Sequence, residues 1–453
     1  MTFDPEAHGA AWRPAFEAVE SLVGGRILSV ERQARWRPVF WIEVERPDGE
    51  RRSVCFRSAR LEQGEDHTAR HEYACQRALE ELGIPVPHVY GYCEAPAGYV
   101  MDRVPGRPDL ATAESPEERD AVRDEFIEIL ARIHALPLEP FRAIGLAPKR
   151  TPLELALGDT AAGIARYRRL RKRPDPVVDF LIDWCERNAP PGRSENVFLT
   201  GDSGQFLFEK GRVTALLDVE LAYLGDPLAD LGGLFSRDLS EKMGDLGVAI
   251  DRYEAASGRA VDRRVVLYHA IRFALTTPVG TTLALATPHV AVDHVQYLTW
   301  YLVYARNPLE LIAYREGIPL EEPERVETVT SPWRVGHDLL EAKLDAFETP
   351  DAFGAYEKDA MRRLARHLAE ADRIGPRLLE QDLDDVASLL GRRPADWRER
   401  DEQLSSLVAA NAGEHDAGLV RYLVRRIRRE EAILAPAQRD LVDARMQRIP
   451  LSG

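Results

Sequence analysis

Cysteine is scarce in this 453-residue sequence: four residues, Cys55, Cys75, Cys93 and Cys185, with no Cys-x-x-Cys pair among them. That spacing supplies neither a zinc site nor a disulfide framework, so the thiols are expected to stay reduced. Long apolar runs are missing as well. Without some ~18 consecutive apolar residues, no membrane-spanning helix is expected. The opening residues Met1, Thr2, Phe3, Asp4, Pro5 and Glu6 carry acid where a secretory leader carries base, and with the reduced thiols this points to the cytoplasm. Basic residues are outnumbered, 60 against 75 acidic ones, for a net charge of −15. A field of that sign repels phosphate, so neither nucleic acid nor an anionic membrane is expected as a partner, although a local basic pocket is compatible with it. Internal repeats and low-complexity tracts are also missing.

What is present is a chain too long for one core, since cores rarely grow beyond ~250–300 residues; two or three domains are expected. Val39 to Val44 is rich in β-branched and aromatic residues and is closed by the turn Pro47-Asp48-Gly49. Arg52 to Arg57 reads as its partner strand. A helix is predicted from about His67 to Leu82, with Tyr73, Cys75, Ala78 and Leu79 facing inward and a break at Gly83, Pro85 and Pro87. Tyr99-Val100-Met101 is a further short strand, and Pro105-Gly106-Arg107-Pro108 reads as a linker.

Beyond the linker the pattern turns helical. Ser115-Pro116-Glu117-Glu118 combines an N-cap serine, a proline at the first helical position and the glutamate of a capping box. Val122, Phe126, Ile129, Leu130 and Ile133 then share one face. Another helix runs from Asp175 to Arg187. Val197-Phe198-Leu199, Phe206-Leu207-Phe208 and Val213 to Leu217 are short apolar pieces set off by turns, and read together as a small hairpin. After about Pro323 the pattern is helical throughout, with a stripe of Leu419, Val420, Leu423, Val424 and Ile427 flanked by Arg425, Arg426, Arg428 and Arg429.

Two aspartates carry the chemical argument. Asp202, in Leu199-Thr200-Gly201-Asp202, and Asp218, in Leu217-Asp218-Val219-Glu220, each end a short strand. Phosphoryl transfer needs such a pair, one carboxylate to take or orient the proton of an attacking hydroxyl and another to hold magnesium. By spacing alone, aspartates beside a hairpin are equally ordinary turn residues.

The surrounding residues go further. Residues 199–234, above all the run from Asp218-Val219-Glu220 to Gly225-Asp226-Pro227 with Asp230 behind it, resemble the catalytic core of the aminoglycoside phosphotransferase family. The branch resembled is that of the kinase-like domains associated with acyl-CoA dehydrogenases. Tyr99 to Gly106, Phe56-Arg57, His71-Glu72-Tyr73, the helix ending in His134 and the helix Phe180 to Pro191 agree with it, so the resemblance covers residues 25–320.

This resemblance implies an α+β, bilobal, protein-kinase-like fold. A β-rich nucleotide-side lobe would occupy 1–104, a mainly helical lobe with the catalytic loop and metal strand 105–325, and an all-helical extension 326–453. The implied activity is transfer of the ATP γ-phosphate, with Mg2+, to a hydroxyl of a small molecule. Carried over residue by residue, Asp202 is the catalytic base and Asp218 the metal ligand. Glu220 supports the metal, Gln205 stands near the place of a second ligand, and Arg57, oriented by Glu72, contacts phosphate. Met101, Asp102, Arg103 and Val104 form the hinge that meets adenine. Asp226 and Asp230 are read as structural carboxylates that hold the loop.

The sequence departs from the family at three places. The asparagine that serves as second metal ligand is missing, with Gln205 near its position in a shortened loop. Thr200 replaces a histidine or glutamine that steadies that loop. The phosphate-covering turn, Glu31 to Pro38, has no glycine; its Arg32, Arg35 and Arg37 could meet phosphate by charge, or Trp36 and Pro38 could fill the nucleotide's space. A catalytically impaired pseudokinase acting as a binding or scaffold module is therefore the alternative reading.

Other features have plainer readings. His134 is expected to cap the last carbonyls of its helix. The run Arg166, Arg168, Arg169, Arg171, Lys172 and Arg173 is read as a solvated helix end ahead of a dock for an anionic substrate such as a coenzyme A thioester. His289 and His294 lack the spacing of a metal motif. The arginine stripe at 425–429 is read as part of an amphipathic core helix, with a homodimer contact as the alternative.

Overall fold

A computed structural model describes residues 8–33, 37–59, 67–290, 292–321 and 330–451. Three expectations lie outside the described residues: the acidic start at Met1–Glu6, Ala34, Arg35 and Trp36 of the phosphate-covering turn, and the boundary at 325/326. The chain divides into two compact units. One comprises Met1–Lys149, Glu195–Asp230 and Glu241–Val261; the other comprises Arg150–Ser194, Leu231–Ser240 and Asp262–Gly453.

The first unit is built on a five-stranded antiparallel sheet, with β1 (Arg26–Arg32), β2 (Val39–Glu45), β3 (Arg51–Ser58), β4 (Val89–Glu94) and β5 (Ala97–Asp102) in the order β1-β2-β3-β5-β4. Helix α1 (Arg13–Val23) ends on Gly24 in the left-handed conformation. Its Phe16, Val19 and Val23 share one core with Phe40, Ile42, Val44, Val54 and Phe56 of the sheet. Within the β2–β3 pair, Phe40 lies opposite Phe56 and Val39 opposite Arg57. Side chains alternate along a strand, so burying Phe56 under α1 turns Arg57 to the other face. Helix α2 (His67–Glu81) contacts β4 and β5, and its Glu72, Cys75, Gln76 and Leu79 are buried along one stripe.

Several expectations are corrected here. Tyr73 is only half-buried, while the polar Glu72 and Gln76 occupy the buried stripe of α2. Glu31 and Arg32, read as part of the turn, extend β1. Helix α3 (Pro116–Ile133) starts as expected, with the Ser115 side chain accepting the Glu118 amide. The capping box is not closed, because the Glu118 carboxylate takes the Glu114 amide and Arg107 instead. The pieces between 197 and 217 do not make one hairpin. Strands β6 (Val197–Leu199), β7 (Phe206–Glu209), β8 (Arg212–Leu216) and β9 (Tyr223–Gly225) form two sheets, β6 with β9 and β7 with β8. Three-residue strands carry too little pattern to show a partner that lies beyond an intervening hairpin.

The second unit is helical. Helix Pro176–Arg187 is capped by Asp175, whose side chain accepts the Val178 amide and also bonds Thr282 and Tyr301. Along helix Asp416–Leu434, Arg425 pairs with Asp385, Arg426 with Asp401, Arg428 with Glu310 and Arg429 with Asp382. The arginine stripe thus belongs to an amphipathic helix packed within its unit. In the basic run, Arg168 pairs with Glu186 and Arg171 with Asp179 at an exposed helix end. No helix among the described residues is long and apolar enough to cross a membrane.

All four cysteines are free thiols and buried. Burial pushes the Cys75 thiol up to about 12, helped by the Glu72 charge, and burial likewise pushes Cys185 up to about 12. A thiol so placed is neither ionised nor accessible near neutral pH. Titration with a thiol-reactive dye at pH 8 is therefore expected to find no reactive thiol in the native protein and four after denaturation. Rapid native labelling would contradict this packing.

Candidate active site

The pairing of β6 with β9 sets Leu199 opposite Tyr223, and the β7–β8 hairpin is enclosed between them. Asp202 follows β6 in a loop, and Asp218 follows β8. The two segments are tied directly, since the Leu217 amide donates to the Gln205 carbonyl at 2.9 Å. Asp218 has φ 60, a left-handed backbone rarely adopted by a residue with a side chain.

The loop is held from below by Asp230. Its Oδ2 accepts the Thr200 amide at 2.8 Å and the Thr200 hydroxyl at 3.0 Å, and its Oδ1 accepts the Gly201 amide at 3.1 Å. The structural role expected of Asp230 is what the geometry displays. Asp226 accepts the Leu228 amide at 3.0 Å and so also serves the backbone. Thr200 does more than expected: although it replaces a larger polar residue, its hydroxyl adds to the clamp. His134 does something else than expected. Its backbone amide takes the Leu130 carbonyl, while its ring lies 2.7 Å from the Tyr253 hydroxyl and 3.3 Å from Asp230 Oδ2. The ring therefore buttresses the clamp and does not cap carbonyls. Gly201, at φ 82, leaves no room for a side chain, because a Cβ there would stand 2.0 Å from the Leu221 carbonyl oxygen.

Above the loop lies a buried ion network. Arg57 Nε is 3.0 Å from Glu72 Oε1, and its NH2 donates to Asp218 Oδ1 at 2.6 Å. Arg37 donates through Nε to the Ser58 carbonyl at 2.8 Å, through NH1 to Glu220 Oε2 at 2.7 Å and through NH2 to Glu72 Oε2 at 3.0 Å. Burial opposes the Arg57 charge, but Glu72 and Asp218 overcome it and hold the guanidinium ionised well above its ordinary range. Burial pushes the neighbouring Tyr99 hydroxyl well up as well, with Glu72 adding to the effect. Helix α2 is anchored beside the network by His71, whose Nε2 lies 2.8 Å from the Ala222 carbonyl oxygen.

The structure thus joins Arg57, Glu72, Asp218 and Glu220 in one cluster. Gln205 is placed apart from them, donating its amide to Asp202 Oδ2 at 2.8 Å. Met101 and Asp102 end β5, and Arg103 and Val104 follow it. The Asp102 amide bonds the His88 carbonyl and the Arg103 amide the Ser53 carbonyl, while the Arg103 guanidinium lies 4.0 Å from the centre of the Trp41 ring. Arg37 is the residue that sequence reasoning missed as an individual. It was one of three arginines in the turn, and nothing local marks it as the one that turns inward to meet a glutamate far along the chain. Glu72, Asp218 and Glu220 each bring a carboxylate oxygen within 4.8 Å of the others. These are hard oxygen donors that suit magnesium, and Asp218 is the most exposed of the three.

The chain belongs to the phosphotransferase enzyme family, whose sequence pattern matches residues 36–268, just over half of its length. Acyl-CoA dehydrogenase family member 11 of Rattus norvegicus is 31% identical over 180 residues, covering 37% of this chain and 23% of the relative. The Gallus gallus protein of the same name is 32% identical over 177 residues, covering 36% and 22%. The match therefore spans less than a quarter of those relatives' own length. A crystal structure from Ralstonia eutropha, named provisionally as an aminoglycoside phosphotransferase, covers 66% of this chain and 98% of its own at 21% identity and a TM-score of 0.51. That likeness is one of fold, and the fold is the bilobal, kinase-like α+β fold expected from the sequence.

The clamp makes a direct prediction. Asp230→Ala leaves two amides and a hydroxyl without their acceptor, and each buried amide so orphaned costs about 1–3 kcal/mol. Gly201→Ala forces a methyl group onto a carbonyl at positive φ and is expected to cost about 2 kcal/mol or more. Urea unfolding should show both as lowered midpoints at unchanged slope, whereas wild-type midpoints would remove the clamp from the account.

Proposed function

We propose that this chain transfers the terminal phosphate of ATP to a hydroxyl group of a small molecule. The observation that carries the reading is the Arg57 guanidinium held between Glu72 of α2 and Asp218 beyond β8. In kinases, a cation on the third strand paired with a glutamate on the following helix handles the nucleotide phosphates, and an aspartate from the far lobe handles the metal. Here arginine is the cation, always charged and able to grip phosphate through two nitrogens.

Asp202 takes the acceptor hydroxyl's proton as general base, and Gln205 orients its carboxylate. Arg57 exchanges Asp218 for a phosphate oxygen when nucleotide enters and keeps Glu72. Asp218 would then be free to hold magnesium, which would supply charge neutralisation at the transferred phosphoryl group. Adenine lies against the hinge at Met101–Val104. With the Asp102 and Arg103 amides bonded within the protein, its edge meets carbonyl groups and the Val104 end of that segment.

A second reading has its own support. Arg57 donates to Asp218 at 2.6 Å and Gln205 to Asp202 at 2.8 Å, so both working carboxylates are satisfied inside the protein, as in a pseudokinase that serves as a scaffold.

Thermal unfolding with Mg·ATP separates them. Ligand at a hundredfold excess over Kd stabilises the folded state by about 2.7 kcal/mol, a rise in Tm of about 3 °C for a protein of this size. Asp202→Asn should keep that shift and lower kcat by about 10²–10⁴, measured against neutral, cationic and coenzyme A thioester acceptors bearing a hydroxyl. A shift without turnover on any acceptor favours the scaffold, and no shift with any nucleotide refutes the transferase.

A further inference from the structure

Helix α2 is fastened to the segment after β8 in two ways, and the chemistry above uses only one of them. The first is by charge: Glu72 reaches that segment through Arg57 to Asp218 and through Arg37 to Glu220. The second starts one residue before Glu72, where His71 Nε2 lies 2.8 Å from the Ala222 carbonyl oxygen. A carbonyl can only accept, so Nε2 carries the hydrogen, and it does so whether or not the other ring nitrogen is protonated. The Cys75 sulfur, 3.7 Å from the same nitrogen, is a weak partner beside that carbonyl.

Ala222 closes a tight turn. Its amide donates to the Val219 carbonyl at 3.1 Å, and the Leu221 carbonyl before it packs on Gly201 of the Asp202 loop, where a Cβ would stand 2.0 Å from its oxygen. His71 therefore holds α2 to the stretch of backbone that runs from Asp218 to the Asp202 loop.

We propose that His71 is a positioning residue for the metal–nucleotide complex, keeping the Asp218 backbone in register with Glu72 and Arg57. The proposal rests on the phosphotransferase reading and adds a residue to that site. In that reading Arg57 gives up Asp218 when nucleotide enters, so this tie is lost just when the carboxylate has to be held for the metal. The Arg37–Glu220 tie remains, but it acts through two long side chains with many rotatable bonds. The His71 bond ends on the main chain and involves none of the exchanging charges. It touches neither nucleotide nor metal, and acts through where it sets Asp218.

The metal dependence of nucleotide affinity tests this, since a residue that only stabilised the fold would not move it. Kd for ATP is measured by calorimetry on the full chain, once with Mg2+ and once with EDTA. Wild type is expected to bind ATP more tightly with Mg2+. His71→Ala should reduce that advantage by about tenfold, in the range for residues that orient a metal's ligands, and leave the metal-free Kd unchanged. His71→Gln, whose carboxamide also offers an N–H to the carbonyl, should restore it. His71→Leu, which fills the ring's space without a donor, replaces His71→Ala if the latter does not fold. An undiminished Mg2+ advantage in either donor-less variant, or failure of both to fold, overturns the proposal and leaves the phosphotransferase reading standing. Failure of wild type to bind ATP at all is a different result, which removes that reading and this inference with it.

Discussion

A glutamate with no solvent exposure governs the architecture of the centre. The Glu72 carboxylate lies inside the first unit between α2 and the sheet, and a charge there costs several kcal/mol unless partners surround it. Its partners are two guanidinium groups, Arg57 from β3 and Arg37 from the residues leading into β2. Each of those is itself too buried to stand with one partner, and each reaches a second carboxylate from the segment after β8, Asp218 and Glu220. The sheet, the helix and the segment after β8 are therefore bound by mutual need. Removing any one charge leaves the rest uncompensated, which is why such a network specifies geometry more surely than it adds stability.

The strained backbone makes sense within that requirement. Asp218 in the left-handed region is a conformation that costs energy, and Gly201 follows a path beside the Leu221 carbonyl that only glycine can take. They persist because hydrogen bonds fix the chain on either side: Asp230 beneath Thr200 and Gly201, and Leu217 bonded to Gln205. Only the backbone amides and one hydroxyl are needed for this clamp. That is why threonine at position 200 is sufficient where a larger side chain was expected, with His134 bracing the carboxylate from its other side.

How much of this could be read from the sequence depended on range. The alternation in β2 and β3 and the capped start of α3 are local patterns, and they were legible. Asp202, Asp218 and Asp230 were singled out as candidates by their place within a recognisable block, since resemblance preserves local order. Arg37 and Glu220 lie 2.7 Å apart with most of the site's sequence between them, and no local pattern records such a pair. Glu72 and Gln76 were missed as buried residues for a related reason: a hydrophobic-stripe argument sees only apolar positions, while a functional core buries polar groups that pair with one another.

The network also changes what the overall charge means. A net charge of −15 disfavours the approach of a polyphosphate, and a local basic pocket would ordinarily offset it. Two arginines are present, but three carboxylates more than answer them, so the centre itself keeps a net negative charge. Under the proposed function, recognition of phosphate would be an exchange at contact distance, in which a phosphate oxygen replaces Asp218 on Arg57 and the displaced carboxylate takes up a metal. Both halves of such an exchange would have to happen together, because either alone would leave a charge stranded in a half-buried site. Under the proposed function, a centre built this way would discriminate against free phosphate and free metal, and would respond to the metal–nucleotide complex as a single ligand.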